Sequence, residues 1–293
     1  ISREEGKELL DRVEDCKHAV RAALSEGVVD GGGVALLFAA QKLSKKKFKA
    51  EVSKSTRAGY AALLEVVEAP FNKILTNAGL MHVKLQNISP NIENNIVEIA
   101  RVSSSRKDKT EDISGLVNYL IKNKHWSPFE HGSLTMEIKT SKAIGIQLLR
   151  HRSFTFQELS QRYAVVGESE PIELRAQHAN NRQSSSEVFN PVLDHKTLGK
   201  IPASNKIAGL IDDCQKLYQE LLDAGVAREC ARMVLPMSTS TTIYMTGTVR
   251  SWIHLIQIRD DEHAQLEAQV IARLMKDIFI KEMPIISKAL GWI

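Results

Sequence analysis

The chain has 293 residues, of which 43% are hydrophobic and 25% are charged, as in a globular protein with a buried core. Its net charge of +4 is too small to indicate nucleic-acid binding, and no apolar run approaches the roughly 18 residues that cross a membrane. Cys16, Cys214 and Cys230 form no CxxC pair and no even set of disulfides, which favours a reducing, cytoplasmic location.

Two regions of different pattern meet near Gly79. Before it, apolar residues recur at helical spacing in three segments, which are separated by the glycines at 31–33 and the lysine-rich stretch 45–49. We predict three helices there, the third bent or broken at Pro70 because proline lacks an amide hydrogen. Residues 1–80 are therefore expected to form a helical region and residues 81–293 a second domain.

The second region opens with strand patterns. Apolar side chains alternate with polar ones in two segments, whose inward faces are Met81, Val83 and Leu85, and Leu134, Met136 and Ile138. A helix is predicted from Ser141 to the Arg150 segment, with Ile144, Leu148 and Leu149 on its apolar side. Strands and helices in one region predict an α+β fold.

The remaining elements are a loop and two helices. Residues 167–205 are rich in Ser, Asn, Pro and Gly, which predicts a long mobile loop. An amphipathic helix follows and ends at Gly225. Its apolar positions are Ile207, Leu210, Ile211, Cys214, Leu217, Tyr218, Leu221 and Leu222. The last predicted helix carries Val270, Ile271, Leu274, Met275 and Ile278.

Residues 150–163 are the most informative stretch of the chain. Arg150, His151 and Arg152 stand side by side, and Arg162 follows two positions after Ser160. Guanidinium and imidazole groups at this density hold anions and planar polar rings, which points to phosphorylated, heteroaromatic ligands. A solvated helix end is the alternative, and the segment taken alone leaves both open.

With Gln147 before it, this segment resembles the signature of flavin-dependent thymidylate synthases. Other blocks occur in the order and spacing of that family: residues 100–103, 125–131, 231–236 and 250–259. The resemblance covers about residues 81–293 and implies a mixed helix and antiparallel-sheet core. It implies reductive methylation of dUMP to dTMP with FAD, NADPH and methylenetetrahydrofolate. It also implies a homotetramer, located in the cytoplasm of a bacterial or virus-infected cell.

The resemblance assigns residues to two ligands. Those expected at FAD are Ser103, His125, Ser127, Arg150, His151, Arg152, Glu158, Thr248, Arg250 and His254. Those expected at dUMP are Gln147, Arg150, Glu158, Leu159, Ser160, Gln161, Arg162, Arg232 and Arg259, with Arg232 coming from another subunit. Arg259 is the expected catalytic residue, because a fixed cation beside the uracil N3 favours the ionised ring and makes carbon 5 a better nucleophile.

Some positions depart from the family or admit other interpretations. Thr248 and His254 replace common asparagines, and Gln161 replaces a frequent glycine, which leaves individual contacts in doubt. His125, Glu130 and His131 could suggest a metal site, but they do not form HExxH and no metal is expected. A surface pair of His263 with Glu267 is also possible. We interpret Cys214 and Cys230 as packed or half-buried thiols rather than nucleophiles.

Residues 10–79 resemble a different family, the equatorial ATPase domain of group I chaperonins. The similarity includes Asp15 and the glycines at 31–33, whereas the phosphate-binding loop and the magnesium aspartate of that family are missing. The alternative function for the chain is therefore a chaperonin-derived module that binds ATP or mediates oligomerisation. A helical remnant without activity is the competing interpretation of this segment.

Overall fold

The computed structural model describes residues 81–103 and 112–293. The three helices predicted before Gly79 and the chaperonin-like segment 10–79 lie outside the described residues, so both stay predictions. The part of the chain that is described combines one antiparallel sheet with helices, which confirms the α+β expectation.

A four-stranded antiparallel sheet in the order β1-β2-β8-β3 forms the centre of the fold. Its strands are β1 (His82–Ile88), β2 (Ser133–Ser141), β3 (Thr155–Glu158) and β8 (Ser240–Thr248). The side chains of Leu134, Met136 and Ile138 on β2 are buried, as predicted from their alternation. One face of the sheet therefore lies against the main hydrophobic core.

Helices cover that core. The α-helices are α1 (Ile92–Ala100), α2 (Ser114–Lys122), α3 (Lys142–Leu149), α4 (Ala203–Asp223), α5 (Arg228–Ala231), α6 (Val249–Arg259), α7 (Leu266–Glu282) and α8 (Pro284–Ala289). Short 3₁₀ helices span Arg101–Ser103, Ser127–Glu130 and Arg232–Val234. The predicted helix after Ser141 and the last predicted helix are confirmed as α3 and α7.

The register of β2 and β8 determines where α3 and α6 begin. Ser133 pairs with Thr248 and Ser141 with Ser240, so α3 leaves one end of this strand pair and α6 leaves the other. The helices measure about 12 and about 16 Å, and a nine-residue strand measures about 30 Å. Two helices of these lengths, folded back from opposite ends of the strands, can meet at their C-termini.

A close approach next to β8 fixes the segment that follows α3. A methyl group at Gly247 would collide with the ring of Phe154. That ring also lies edge-on to Trp252, with 4.8 Å between the ring centroids. The buried Trp252 donates from Nε1 to the Leu134 carbonyl at 3.2 Å. Residues 151–154 are therefore packed against both the sheet and helix α6.

The prediction of a mobile loop at 167–205 is wrong over much of that range. Two small hairpins occupy it, with strands β4 (Arg175–Gln177), β5 (Ser185–Val188), β6 (Val192–His195) and β7 (Gly199–Pro202), and α4 begins at Ala203. Polar turn residues mark the reversals of the chain. His178 Nδ1 accepts from the Asn180 and Asn181 amides in the first hairpin.

Helix α4 confirms the predicted amphipathic helix and its end at Gly225, where φ is +85°. Only Ala203 and Tyr218 on this helix are fully buried. Leu210 is 63% exposed and Leu217 is 44% exposed, so part of the apolar stripe faces outward. No helix in the described ranges is long and apolar enough to span a membrane.

Candidate functional site

Arg259, the last residue of α6, contacts the C-terminal end of α3. Its Nη2 donates to the Gln147 carbonyl at 2.9 Å, and its Nη1 donates to Gln147 Oε1 at 3.2 Å. Its Nε donates to His151 Nε2 at 3.1 Å. The Gln147 carbonyl belongs to the last turn of α3, where helical carbonyls lack amide partners, so Arg259 caps that helix.

The geometry defines the protonation state of His151. Its Nε2 accepts from Arg259, so the proton of the neutral ring lies on Nδ1. Burial, followed by the charges of Arg259 and His254, lowers the pKa of His151 to about 4. Burial and the Arg150 charge also lower the pKa of Arg259, although arginine keeps its proton. The site therefore presents a fixed cation beside a neutral imidazole at neutral pH.

A cleft of about 480 Å³ lies along α6, and we call it the α6 cleft. It is lined by Trp126, Glu130, Ser153, Thr248, Arg250, Ser251, Ile253, His254 and Gln257. Glu130 organises one side of it, because its two carboxylate oxygens accept from Arg250 Nη1 at 2.7 Å and from Thr248 Oγ1 at 2.8 Å. The cleft offers polar groups next to the apolar surfaces of Trp126 and Ile253.

Thr248 has a clear structural role at the start of α6. Its Oγ1 accepts from the Ser251 amide at 3.3 Å and so caps the start of α6. The same hydroxyl donates to Glu130. Thr248 therefore joins the helix start to the 3₁₀ helix that carries Glu130.

Glu158, at the end of β3, is half-buried and points toward the start of α3. Its Oε1 accepts from Lys142 Nζ and from Thr241 Oγ1, both at 2.8 Å. Lys142 is the first residue of α3, where a cation opposes the helix dipole. The carboxylate of Glu158 offsets that charge, and its orientation is fixed by these two donors.

A second cleft, of about 390 Å³, lies beside Arg162, and we call it the Arg162 cleft. It is lined by Ser160, Arg162, Tyr163, Ala227, Arg228 and Glu229. Arg162 Nη2 lies 3.0 Å from Glu229 Oε2. Arg232 Nε lies 3.4 Å from the Glu229 carbonyl, so Glu229 contacts both arginines within one chain. The two clefts share no lining residue.

The structure brings together some predicted residues and separates others. Thr248, Arg250 and His254 line the α6 cleft, while Ser160 and Arg162 line the other. His125 and Ser127 are exposed beside Trp126 and Glu130 of the α6 cleft. Ser103 ends a 3₁₀ helix by its backbone, and its side chain is not described. Arg150, Arg152 and Leu159 are exposed, whereas Gln161 is buried.

Two expectations about side chains are corrected. His263 lies near Glu262 rather than Glu267, because Glu267 is bound by Arg175 from strand β4. Cys230 is exposed rather than packed, and Cys214 is partly exposed on α4. Among the described residues, no group of three or more His, Cys, Asp or Glu side chains is arranged to hold a metal ion.

Sequence reasoning missed several groups that organise the site. Glu130 was considered only as a metal ligand, and Lys142, Gln265 and Glu170 were not considered. The position of Glu130 inside the block 125–131 is a signal that could have identified it. A single polar residue such as Gln265 gives no comparable signal, because its partner Gln147 lies 118 residues earlier in the chain.

Glu170 is the buried carboxyl nearest to the start of α3. Its side chain is only 6% exposed. Burial raises the pKa of Glu170 to about 7, the nearby polar groups of Ser141 and Thr140 oppose that shift, and the charge of Glu267 adds to it. Ser141 is the N-cap residue of α3, so this carboxyl touches the start of the helix whose other end contacts Arg259.

Comparison with known proteins gives one consistent result. The family model described as thymidylate synthase complementing protein matches residues 84–285. A probable flavin-dependent thymidylate synthase of Paramecium bursaria Chlorella virus 1 is 45% identical over 200 residues, which is 68% of this chain and 90% of the relative. A flavin-dependent thymidylate synthase of Synechocystis sp. is 42% identical over 197 residues, or 67% of this chain and 88% of the relative.

The Glu170→Gln substitution tests the buried carboxyl. The pKa of Glu170 is raised in the folded state, so the native protein binds more protons than the unfolded chain between about pH 4.5 and 7. The unfolding free energy contributed by this group therefore falls as the pH rises through that range. We expect Glu170→Gln to remove this loss and to be more stable than the unsubstituted protein at pH 8, by up to about 3 kcal/mol.

Urea unfolding at pH 5 and pH 8 measures the difference. Glu168→Gln is the matched control, because Glu168 is exposed and Lys139 lowers its pKa, so its loss should not stabilise the protein at pH 8. An identical pH dependence for Glu170→Gln and the unsubstituted protein would contradict the assignment.

Proposed function

This chain belongs to the family of thymidylate synthase complementing proteins, and from that premise we propose that it converts dUMP to dTMP by flavin-dependent reductive methylation. Methylenetetrahydrofolate is the one-carbon donor, and NADPH reduces FAD. The observation that carries the proposal is that the chain covers 90% and 88% of two relatives named flavin-dependent thymidylate synthase. The described fold gives the positions of the residues that we assign below to FAD, to dUMP and to activation of the uracil ring.

The α6 cleft fits FAD in its chemistry. Arg250 is suited to a pyrophosphate because a guanidinium can bind two oxygens at once. Thr248 and His254 add hydrogen-bonding groups, and Trp126 and Ile253 add apolar surface. When bound, reduced FAD supplies the hydride that completes the methyl group. We assign Ser103, His125, Ser127, Arg150, His151, Arg152 and Glu158 to the same site.

The Arg162 cleft suits the phosphate of dUMP. Arg162 pairs with the Glu229 carboxylate and Arg232 donates to the Glu229 backbone carbonyl, so a dianionic phosphate would compete with that carboxylate for Arg162. Ser160 adds a hydroxyl, and Leu159 and Gln161 flank it in the chain. Gln147, Arg150 and Glu158 complete the set that we assign to dUMP. We propose that Arg232 reaches this phosphate from a neighbouring subunit, as the resemblance implies.

Arg259 is the residue to which we assign activation of the uracil ring. It is a fixed cation, and its three contacts with Gln147 and His151 hold it in one position. A positive charge beside the uracil N3 and its neighbouring carbonyl favours the ionised ring, which makes carbon 5 more nucleophilic. Arginine acts here as a stabiliser rather than a base, because it does not release its proton.

The Arg259→Ala substitution tests the function and this role together. We expect it to reduce dTMP formation by about a hundred- to a thousand-fold, because the cation that favours the ionised ring is lost. The yellow flavin should stay bound, since the α6 cleft does not include Arg259. Release of tritium from carbon 5 of labelled dUMP measures turnover, and the visible spectrum measures bound flavin.

Arg182→Ala is a control, because Arg182 is exposed in the turn between β4 and β5. This variant should form dTMP at the rate of the unsubstituted protein. The same rate in Arg259→Ala would contradict the role assigned to Arg259. Absence of dTMP formation by the unsubstituted protein would remove the proposed function itself.

We further propose that the active form is a homotetramer with sites assembled from several subunits. Large apolar side chains are exposed on α4, in the Arg162 cleft and in the segment that follows α5: Leu210, Leu217, Tyr163, Met233 and Met237. Such a concentration of exposed apolar groups is typical of a surface that is covered in an assembly. The separation of the two clefts in one chain is consistent with sites that need a second subunit.

Light scattering tests the assembly. We expect a particle of four chain masses, and we expect Leu210→Glu with Leu217→Glu to lower that mass and the rate of dTMP formation, because charges are costly in a buried contact. Leu198→Glu is the control, since Leu198 is exposed in the turn of a small hairpin. A fully active monomer would contradict this proposal.

The remaining predictions concern residues 1–80 and location. The family match begins at residue 84, and the matches do not support the alternative of a chaperonin-derived ATP-binding or oligomerisation module. Cytoplasmic location in a bacterial or virus-infected cell, and the absence of nucleic-acid partners, stay predictions from the sequence.

A further inference from the structure

The side-chain amide of Gln147 is held at both ends. Its Oε1 accepts from Arg259 Nη1 at 3.2 Å, and its Nε2 donates to Gln265 Oε1 at 2.7 Å. Gln265 is the residue before α7, six positions after Arg259. A chain of contacts therefore leads from Gln265 through Gln147 to the guanidinium.

The chemistry of arginine fixes the donor and the acceptor of each hydrogen bond in this series. A guanidinium has five N–H donors and no acceptor, so the Gln147 atom that faces it must be the oxygen. The nitrogen of Gln147 then faces Gln265 and needs an acceptor there, which makes the facing atom of Gln265 its oxygen. Both amide orientations thus follow from the hydrogen-bonding capacity of Arg259.

The backbone around Gln265 is anchored by contacts outside the proposed dUMP site. Gln269 Nε2 donates to the Ala264 carbonyl at 2.8 Å. The partly buried Arg175 binds both carboxylate oxygens of Glu267, at 2.6 and 2.8 Å. No cap hydrogen bond to the helix occupies the Gln265 side chain. These contacts anchor the backbone at the start of α7, and the exposed Gln265 side chain reaches Gln147 from it through one hydrogen bond.

Loss of that acceptor would leave the Gln147 side chain held only at its oxygen, by Arg259 Nη1. A side chain fixed at one end alone can move away from the guanidinium. The guanidinium would lose one of its three fixed contacts and would adopt several positions. A cation spread over several positions stabilises a developing charge less than one held in place.

We propose that Gln265 is a positioning residue for the methylation reaction: it fixes the Gln147 amide and, through it, the guanidinium of Arg259. This inference rests on the proposed function and on the role assigned to Arg259. Gln265 acts through Gln147 and needs no contact with a substrate. The contribution comes from the oxygen of its side chain, so a carboxylate at the same reach can replace it.

The test compares Gln265→Met, which has a similar length but no strong acceptor, with Gln265→Glu, which keeps one. We expect Gln265→Met to lower tritium release from carbon 5 of dUMP about tenfold, the scale expected when one hydrogen bond is lost. We expect Gln265→Glu to stay within about threefold of the unsubstituted protein. Bound flavin and the unfolding midpoint should be the same in both variants.

The dependence of rate on pH separates positioning from a general structural defect. A displaced Arg259 favours the ionised uracil less, so the Gln265→Met rate should be lowest at acidic pH and should recover as the pH rises. A structural defect would lower the rate by the same factor at every pH. Gln183→Met, in the turn between β4 and β5, is the control for replacing a glutamine and should have no effect.

Coupling to Gln147 completes the test. If Gln265 acts through Gln147, the double variant with Gln147→Met should be no slower than Gln147→Met alone. Unchanged turnover in Gln265→Met, an unshifted pH profile, or failure of Gln265→Glu to restore the rate would each overturn this inference while the proposed function stands. Absence of dTMP formation by the unsubstituted protein would overturn both.

Discussion

The guanidinium of Arg259 caps the C-terminal end of helix α3, and the arrangement of the site depends on this contact. Three hydrogen bonds join α6 to Gln147 and His151 of the α3 segment. The partial negative charge of a helix end favours the cation, while burial keeps the neighbouring imidazole neutral. The proposed chemistry uses the same cation, so the group that joins the two helices is also the group assigned to the substrate.

The antiparallel pairing of β2 with β8 makes that contact possible. Because the strands run in opposite directions, the helices that follow them leave from opposite ends of the strand pair. Glu130, Glu158 and Glu170 then hold separate parts of this frame: the start of α6, the end of β3 and the start of α3. The carboxylates of Glu130 and Glu158 are bound by groups from other elements, so the frame is fixed by polar contacts in addition to its apolar core.

Local patterns predicted much of this fold and less of its site. Alternation predicted β2, and helical spacing predicted α4, because both reflect one apolar face of a regular element. The strands of the small hairpins have three or four residues, which is too short for alternation to distinguish them from a loop. Helical spacing predicts the apolar positions of α4, but it does not identify the surface that packs against them. Thr248 and Gln147 have their partners 118 residues away, since sheet register and helix packing create those contacts.

We propose that the α6 cleft and the Arg259 contact form parts of one site for a flavin and a uracil nucleotide. The visible absorption spectrum of the purified protein, recorded with and without dUMP, tests this proposal. We expect a flavin band that changes in shape or position when dUMP is added, because Arg150 and Glu158 are assigned to both ligands. A protein without a flavin band, or a flavin band unaffected by saturating dUMP, would contradict it.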